Sequence, residues 1–302
     1  MVLDIQSESV SPPLRDTVRS VPAGSFESPA IVSISDIHGY LTEARSALST
    51  LSDHPDYEPV VTTDEDGLLH WADENYVLVF NGDLIDRGPN NDAVLAMVGR
   101  LVDEAPPGRV RITLGNHESM ILMSADQKFA NWYSTNLDPE PRKRFLQRIC
   151  DGHVIATYDG YRHTYAHAGA TEKYIASNLN DSLVEAAEQL YPVVGTMEES
   201  QMRSQLRTEY RRIFAKGARH VKGPSAGLVW LEYDHLSTDS LPQVVGHTPQ
   251  ATPHSKGNTH CQDLILENID SAGGEGVFLE TPESLTALTR DSNGGVKTIQ
   301  LE

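Results

Sequence analysis

The stretch FNGDLIDRGPN (80–90) follows directly on the apolar run YVLVF (76–80). It places two aspartates and an arginine in a turn that Gly82 and Gly88 bound. The apolar run predicts a buried strand, so these charges stand at the carboxyl end of that strand. In open α/β sheets, ligands gather outside the carboxyl ends of the strands. The stretch therefore predicts a functional site within an α/β fold.

The same order of strand, polar turn and helix occurs three times in the first half of the chain. AIVSIS (30–35), YVLVF and RVRITL (109–114) predict strands, and residues 41–51 and 91–105 predict helices. Such alternation is typical of a mixed α/β sheet with right-handed crossovers. The domain is expected to span residues 30–302. Residues 1–29 mix Ser, Pro and charge without a period, which predicts a loose, flexible arm.

The second half predicts a further sheet and a helical segment. Residues 139–150 and much of 177–223 are helix-prone, and the chain is expected to turn in a hairpin at Asp159–Gly160. Five short β-like runs follow, which predict a second sheet packed on the first: GLVWLE (227–232), PQVVGH (242–247), LILENID (264–270), GVFLE (276–280) and LTALT (285–289).

Composition excludes several classes of protein. The net charge of -19 argues against a nucleic-acid partner, because phosphate backbones require clustered Lys and Arg. No apolar run is long enough for a membrane span, and the first residues lack the pattern of a signal peptide, so a cytoplasmic protein without a membrane partner is expected. Two cysteines are too few for a disulfide framework. Abundant Asp and Glu with only seven Lys favour a halophilic source, where salt screens the self-repulsion.

Five polar turns follow strand-like runs and can converge on one site: SDIHG (35–39), NGDLIDRG (81–88), LGNHE (114–118), AHAG (166–169) and VGHTP (245–249). They supply six candidate metal ligands: Asp36, His38, Asp83, Asn116, His167 and His247. Oxygen and imidazole ligands without Cys suit Mn, Fe, Zn or Mg. One ion that keeps positions open for a substrate needs fewer than six protein ligands, so the set predicts two ions that share a carboxylate. Such pairs of ions are used in displacement reactions at phosphorus.

In this order, the five turns resemble the motifs of the calcineurin-like metallophosphoesterases, and in particular their phosphoprotein phosphatase branch. The resemblance covers residues 36–247 and implies a four-layer α/β/β/α sandwich. It also implies two divalent ions, with Mn²⁺ expected first. Asp36, His38 and Asp83 would hold one ion, and Asp83, Asn116, His167 and His247 the other. A hydroxide shared by the ions would attack the phosphorus atom.

The resemblance further implies roles for three turn residues. His117 would act as the acid that protonates the leaving oxygen, and Asp86 would orient its ring. Arg87 would bind a phosphate oxygen through its fork of donors, with Asn116 also on the substrate side. A phosphorylated protein or a small phosphoester is the expected substrate, and a Ser/Thr protein phosphatase-like enzyme is the expected activity.

The chain departs from the branch in two places, and the substrate therefore stays open. Ser35 stands where the family usually has Gly. The second phosphate-binding Arg of the branch is missing between GLVWLE and His247, and Arg211, Arg212 and Arg219 are candidate replacements. The alternatives are a symmetrical diadenosine-tetraphosphate hydrolase and, from another class, an inactive sensor of phosphorylated ligands. Residues 177–223 are the candidate lid or specificity insert. Eight further histidines, His163 and His260 among them, are expected to be packed or surface residues rather than ligands.

Overall fold

A seven-stranded sheet forms the centre of the molecule in the computed structural model, which describes residues 3–25, 28–123 and 129–302. Its strands in spatial order are β14 (Val296–Gln300), β13 (Leu285–Arg290), β12 (Gly276–Glu280), β1 (Ala30–Ile34), β4 (Tyr76–Phe80), β5 (Val110–Thr113) and β6 (Val154–Ile155). The neighbouring strands β1, β4, β5 and β6 run parallel to one another. β12 pairs antiparallel with β1, and β13 and β14 continue this antiparallel half. The parallel half therefore presents its carboxyl ends along one edge.

A five-stranded sheet contains, in spatial order, β10 (His254–Lys256), β11 (Thr259–Cys261), β9 (Gln243–Val245), β8 (Thr164–Tyr165) and β7 (Tyr158–Asp159). Its three central strands are parallel to one another. A separate antiparallel pair is formed by β2 (Val61–Thr63) and β3 (Leu69–Trp71).

The two sheets pack face to face through an apolar layer. Ile31, Val77 and Val79 of the large sheet share this layer with Tyr165 and Val244 of the small one. Successive side chains of a strand point to opposite faces, so the intervening residues of β1 and β4 belong to the core on the other side. Strands buried on both faces are read in the sequence as continuous apolar runs such as YVLVF.

Helices flank the sheets, which confirms the predicted α/β fold. They are α1 (Pro12–Asp16), α2 (Leu41–Leu48), α3 (Asn91–Glu104), α4 (Asn116–Met123), α5 (Pro139–Cys150), α6 (Ala176–Leu190), α7 (Glu199–Glu209) and α8 (Arg211–Phe214). Helix α2 packs on the large sheet, and α3 packs on β3 and on β5 of the large sheet, while α4 to α8 pack mainly on one another. Among the described helices, none has the length and apolar character that a membrane crossing requires.

Two predicted strands are wrong. GLVWLE (227–232) has no strand; it is held by backbone bonds to the α8 region, including Gly227 N to Ala215 O (2.8 Å), and Leu228 O accepts from Ala168 N (2.9 Å). LILENID contains a short 3-10 helix at Leu266–Asn268 instead. The first apolar residues of both runs, Leu228 to Leu231 and Leu264 with Ile265, are buried, and burial by itself does not select a strand.

The predicted composition of the second sheet is also wrong in part. GVFLE and LTALT form β12 and β13, which extend the large sheet rather than the small one. Antiparallel pairing of β12 with β1 determines this, and a pairing between distant segments leaves no local mark in the sequence. β2, β3, β10, β11 and β14 were not predicted, since each is short or largely exposed.

The predicted loose arm at residues 1–29 is wrong for its described residues. Leu3 and Ile5 are buried, and the amides of Gln6 and Ser7 both donate to Asp103 Oδ1 at 2.8 Å. Further along, Arg15 lies between Asp16 and Asp181, with distances of 2.7 and 2.8 Å. Leu3 and Ile5 belong to the same core as the buried residues of α3 and alternate with exposed Asp4 and Gln6, and this mixture resembled a disordered segment in the sequence.

We expect Ile5→Ala to lower the free energy of unfolding by about 2–5 kcal/mol, because it leaves a cavity in a packed core. Glu8→Ala, at an exposed position of the same segment, is the matched control and should change it by less than about 0.5 kcal/mol. Urea unfolding followed by circular dichroism measures both. Equal stability of the two variants would contradict the packed arrangement.

Candidate metal centre and active site

The first two polar turns are joined by hydrogen bonds that continue the parallel pairing of β1 and β4. Asp36 N donates to Gly82 O (3.0 Å), and His38 N donates to Asp83 O (2.9 Å). Gly39 N in turn donates to Leu84 O (2.9 Å). The backbone of one turn therefore sets the position of the ligand candidates in the other.

Six site residues have left-handed backbone conformations, with φ between 49° and 72°: Asp36, His38, Asp83, Asp86, Arg87 and His247. They are all of the non-glycine residues with positive φ in the part of the chain that the structure describes. Such conformations are unfavourable for side chains other than Gly, by about 1 kcal/mol or more, and cluster where function requires them. The strain therefore coincides with the predicted site.

The carboxylate of Asp83 lies at the centre of this site. Its Oδ2 is 3.6 Å from His38 Nε2, 3.8 Å from His117 Nε2 and 3.4 Å from His167 Nε2. All of these side chains are buried. One carboxylate oxygen thus faces imidazoles from three different turns, as a ligand shared between two ions would.

Two clusters that could hold metal ions meet at Asp83. His38, Asp83 and His117 form one, and Asp83, His167 and His247 form the other, each with its ligand atoms within 4.8 Å. Two more of the predicted ligands border them. Asp36 Oδ1 is 3.8 Å from His38 Nε2, and Asp36 Oδ2 accepts a hydrogen bond from His247 N (2.9 Å). Asn116 Oδ1 is 3.1 Å from His167 Nε2. The structure thus brings all six predicted ligands together.

The histidines are oriented as metal ligands. His38 Nδ1 and His167 Nδ1 lie 3.0 and 3.1 Å from the carbonyl oxygens of Ile85 and Asn81. A carbonyl only accepts, so Nδ1 carries the proton and the lone pair of Nε2 is directed into the cluster. His167 Nε2 and His247 Nδ1 are 3.1 Å apart, close to the roughly 3 Å expected of adjacent ligands on one ion about 2.1 Å away. The donor set therefore fits a pair of divalent ions.

The electrostatics of the cluster are those of a site arranged for cations. Burial raises the pKa of Asp83, but the imidazoles of His167 and His117 outweigh this effect and hold it well below its usual value. Burial lowers the pKa of His167, but the carboxylates of Asp83 and Asp36 outweigh it and raise the pKa to about 9. A bound ion would replace that proton, since ligands must be deprotonated to coordinate.

His117 has a partner on one nitrogen and faces the cluster with the other. Its Nδ1 is 2.8 Å from Asp86 Oδ2, and its Nε2 is buried without a hydrogen-bond partner. Asp86 is itself held by Ser134, which donates from Oγ (2.9 Å) and from N (3.3 Å). Trp132 stacks on the imidazole with centroids 3.6 Å apart and planes 7° from parallel. The ring of His117 is therefore fixed in orientation.

Two cations lie beside the clusters. Arg87 is exposed in the turn that carries Asp83 and Asp86, and none of the ion pairs among the described residues involves it. Lys222 donates from Nζ to the carbonyl oxygen of the ligand candidate His247 (3.0 Å). Of the predicted replacements for the missing Arg, Arg211 and Arg212 line a cavity of about 410 Å³ next to the AHAG turn, and Arg219 is exposed.

Sequence reasoning missed three residues of the site. Glu118 accepts from Asp83 N (3.0 Å) and Leu84 N (2.8 Å), and burial together with the charge of Asp83 raises its pKa to about 8. Asp263 is buried, and neither of its carboxylate oxygens has a hydrogen-bond partner. Burial is the main effect that raises its pKa well above the usual value, and the negative charge of Asp36 adds to it. Lys222 is the third. Asp263 follows β11, so correct prediction of that strand would have found it by the rule that located the other turns.

With this geometry in view, comparison with known proteins identifies the family. Residues 29–270 match the model of the calcineurin-like phosphoesterases, and the chain belongs to that family. Family membership implies a hydrolase that acts on phosphoesters. The predicted resemblance is thereby confirmed, and the His and Asp clusters are consistent with the metal ions that such enzymes use.

Solved structures of other proteins are similar to this chain at low sequence identity. A cold-active protein-tyrosine phosphatase from a psychrophilic Shewanella is 18% identical, with a TM-score of 0.59 over 96% of this chain and 85% of that one. A protein serine/threonine phosphatase from Saccharomyces cerevisiae is 14% identical, with a TM-score of 0.47 over 96% of this chain and 85% of that one. At 18% identity the likeness to the Shewanella enzyme concerns the fold alone.

Gly82 tests whether the close packing of the turns is needed for metal binding. Its φ is 81°, and a Cβ there would lie 2.7 Å from His167 Nδ1 and 2.8 Å from Gly115 Cα. Gly67 has a similar φ of 75° but nothing within 4 Å, so it is a matched control. We expect both alanine variants to lose about 1–2 kcal/mol of stability from backbone strain.

Only Gly82→Ala should also displace His167 and lower the metal content per chain, as measured by atomic emission after removal of excess ions. Full metal content in a folded Gly82→Ala protein would show that the turns can separate without cost.

Proposed function

We propose that this protein is a binuclear metal-dependent phosphomonoesterase that acts on phosphorylated Ser or Thr in proteins. The observation that carries the metal part is the position of Asp83 Oδ2 between His38 Nε2 and His167 Nε2, at 3.6 and 3.4 Å. In this proposal Asp36, His38 and Asp83 hold one ion, and Asp83, Asn116, His167 and His247 hold the other. Mn²⁺ is the proposed occupant, with Fe, Zn and Mg as alternatives.

The bound ions would supply an activated water and offset the negative charge that develops on the phosphoryl group. The chain's own residues would perform the rest. His117, whose Nδ1 contacts Asp86, would donate the proton of Nε2 to the leaving oxygen. The Trp132 ring and the Ser134 contacts of Asp86 would keep that proton aimed at the site. Arg87, exposed at the rim, would bind phosphate oxygens through paired N–H donors.

Lys222 is proposed as the second anion-binding cation of the site. It occupies the segment between α8 and His247, and its Nζ lies next to a ligand candidate. Among the described residues it forms no ion pair within 4.0 Å, so its positive charge is available to a substrate. Lys222 would thus supply the charge that the family's second arginine supplies, but as a point charge rather than a fork.

A dinucleoside polyphosphate is the second candidate substrate. The cavity of about 410 Å³ beside the AHAG turn is lined by Tyr174, Leu179, Arg211 and Arg212 among others. An aromatic ring, an apolar side chain and two cations suit a nucleoside with its phosphates as well as an acidic peptide. In the first case residues 177–223 would act as a base-binding lid, and in the second as a peptide-docking element.

The decisive assay offers the Mn²⁺-loaded protein a phosphoserine peptide, a phosphotyrosine peptide and diadenosine tetraphosphate at equal concentration, at low and at molar KCl. Phosphate released from the phosphoserine peptide supports the proposal, whereas ADP without free phosphate supports the dinucleotide alternative. Asp83→Asn is the control for the metal centre and should abolish turnover. Full turnover by that variant would refute the two-metal arrangement, and no turnover by the parent protein would favour a phosphate-binding sensor.

Lys222→Met should raise KM for the preferred substrate and the inhibition constant of inorganic phosphate by about 10-fold, equivalent to one charge-assisted hydrogen bond. Lys222→Arg should restore most of the affinity, because it keeps the charge. Lys297→Met, at an exposed position on β14, is the matched control and should change neither constant. Phosphate inhibition that is unchanged in Lys222→Met would remove Lys222 from the site.

A further inference from the structure

A second group of potential metal ligands lies at the opposite end of β8 from the catalytic site. His163 precedes this strand and His167 follows it, so the two are separated by about 13 Å along the chain. His163, His260 and Glu302 place one ligand atom each within 4.8 Å of the others. Both histidines are buried, and Glu302 is partly exposed. The group is separate from the clusters around Asp83.

Each of the two imidazoles has a hydrogen-bond partner on Nδ1, and the Nε2 atoms of both face Glu302 Oε1. His163 Nδ1 lies 2.9 Å from Glu280 Oε1, and this carboxylate also accepts from Tyr165 Oη (2.9 Å). His260 Nδ1 lies 2.8 Å from Ser255 Oγ. A carboxylate behind a histidine fixes the tautomer that leaves Nε2 free to coordinate, which is the usual outer arrangement of zinc-binding histidines.

The distances fit a metal site better than a hydrogen-bonded cluster. Glu302 Oε1 is 3.5 Å from His163 Nε2 and forms a long hydrogen bond of 3.3 Å with His260 Nε2. Hydrogen bonds between a charged imidazole and a carboxylate are shorter, about 2.7–2.9 Å. Ligands in a tetrahedron about 2.0 Å from Zn²⁺ are roughly 3.3 Å apart. In addition, His163 Nε2 is fully buried and has no hydrogen-bond partner, although it points into the cluster.

We propose that His163, His260 and Glu302 bind a third divalent cation, of which Zn²⁺ fits the two nitrogen and one oxygen ligands best. Arg162 binds the other carboxylate oxygen, Oε2, at 2.9 Å, so Glu302 offers Oε1 alone. The fourth position is open to water on the partly exposed side of Glu302.

The ion joins three segments that are distant in sequence. His163 belongs to the turn between β7 and β8, His260 to β11, and Glu302 follows β14. The turn of His163 connects two strands of the small sheet and His260 lies in a third, whereas the backbone of Glu302 is hydrogen-bonded to Leu285 of the large sheet. The cation therefore connects the two sheets at the end away from the active site, and its role is structural.

The test compares zinc content per chain, by atomic emission after gel filtration, in full-length protein and in His260→Gln and His163→Gln. Each variant should hold one ion fewer than the parent, whatever the occupancy of the Asp83 clusters, and should retain phosphoester hydrolysis. His254→Gln, at an exposed position on the same β10–β11 hairpin, is the matched control and should hold as many ions as the parent. Equal zinc content in the parent and both folded variants would overturn the proposal.

A second measurement does not depend on the variants folding. Crystals of the parent protein grown with Zn²⁺ should give an anomalous difference peak about 2.0–2.2 Å from the Nε2 atoms of His163 and His260. The absence of a peak there would overturn the proposal. Because this peak is separate from any peak at Asp83, loss of the third site and loss of the proposed catalytic centre can be told apart.

Discussion

The close contact between the turns that follow β1 and β4 is the constraint on which the site depends. Backbone hydrogen bonds join Asp36 to Gly82 and His38 to Asp83, and these bonds hold several residues in left-handed conformations. Each such conformation is unfavourable, so the surrounding core must supply the stability. The buried strands on both sides, which are apolar on both faces, provide it. In return, the strained backbone directs carboxylates and imidazoles toward one another rather than into solvent.

Glu118 shows how the second layer of the site supports the first. Its carboxylate accepts hydrogen bonds from the amides of Asp83 and Leu84, which have no strand partner at this turn. Asp86 has a comparable relation to His117, since it binds the ring nitrogen that faces away from the clusters and is itself held by Ser134. Asp83 and His117 thus each have a buried neighbour that fixes their orientation, as precise catalytic geometry requires.

The two ends of the sandwich have different proposed tasks. At the carboxyl ends of the parallel strands, five turns form a strained, highly charged centre suited to chemistry. At the other end, His163 and His260 are held by Glu280 and Ser255 in an unstrained arrangement suited to a structural ion. In these proposals β8 links a catalytic metal site at one end to a connecting metal site at the other.

The sequence by itself determined the alternation of strands and helices, the five polar turns and the six ligand candidates, because short apolar runs and the residues directly after them are local features. It did not determine which strands pair, and so it assigned β12 and β13 to the wrong sheet and left the packed N-terminal segment as an arm. For the same reason, no site role was predicted for Asp263, for Lys222 or for the His163–His260–Glu302 group. Their neighbours are distant in sequence, and only the tertiary structure, through pairing and burial, brings them together.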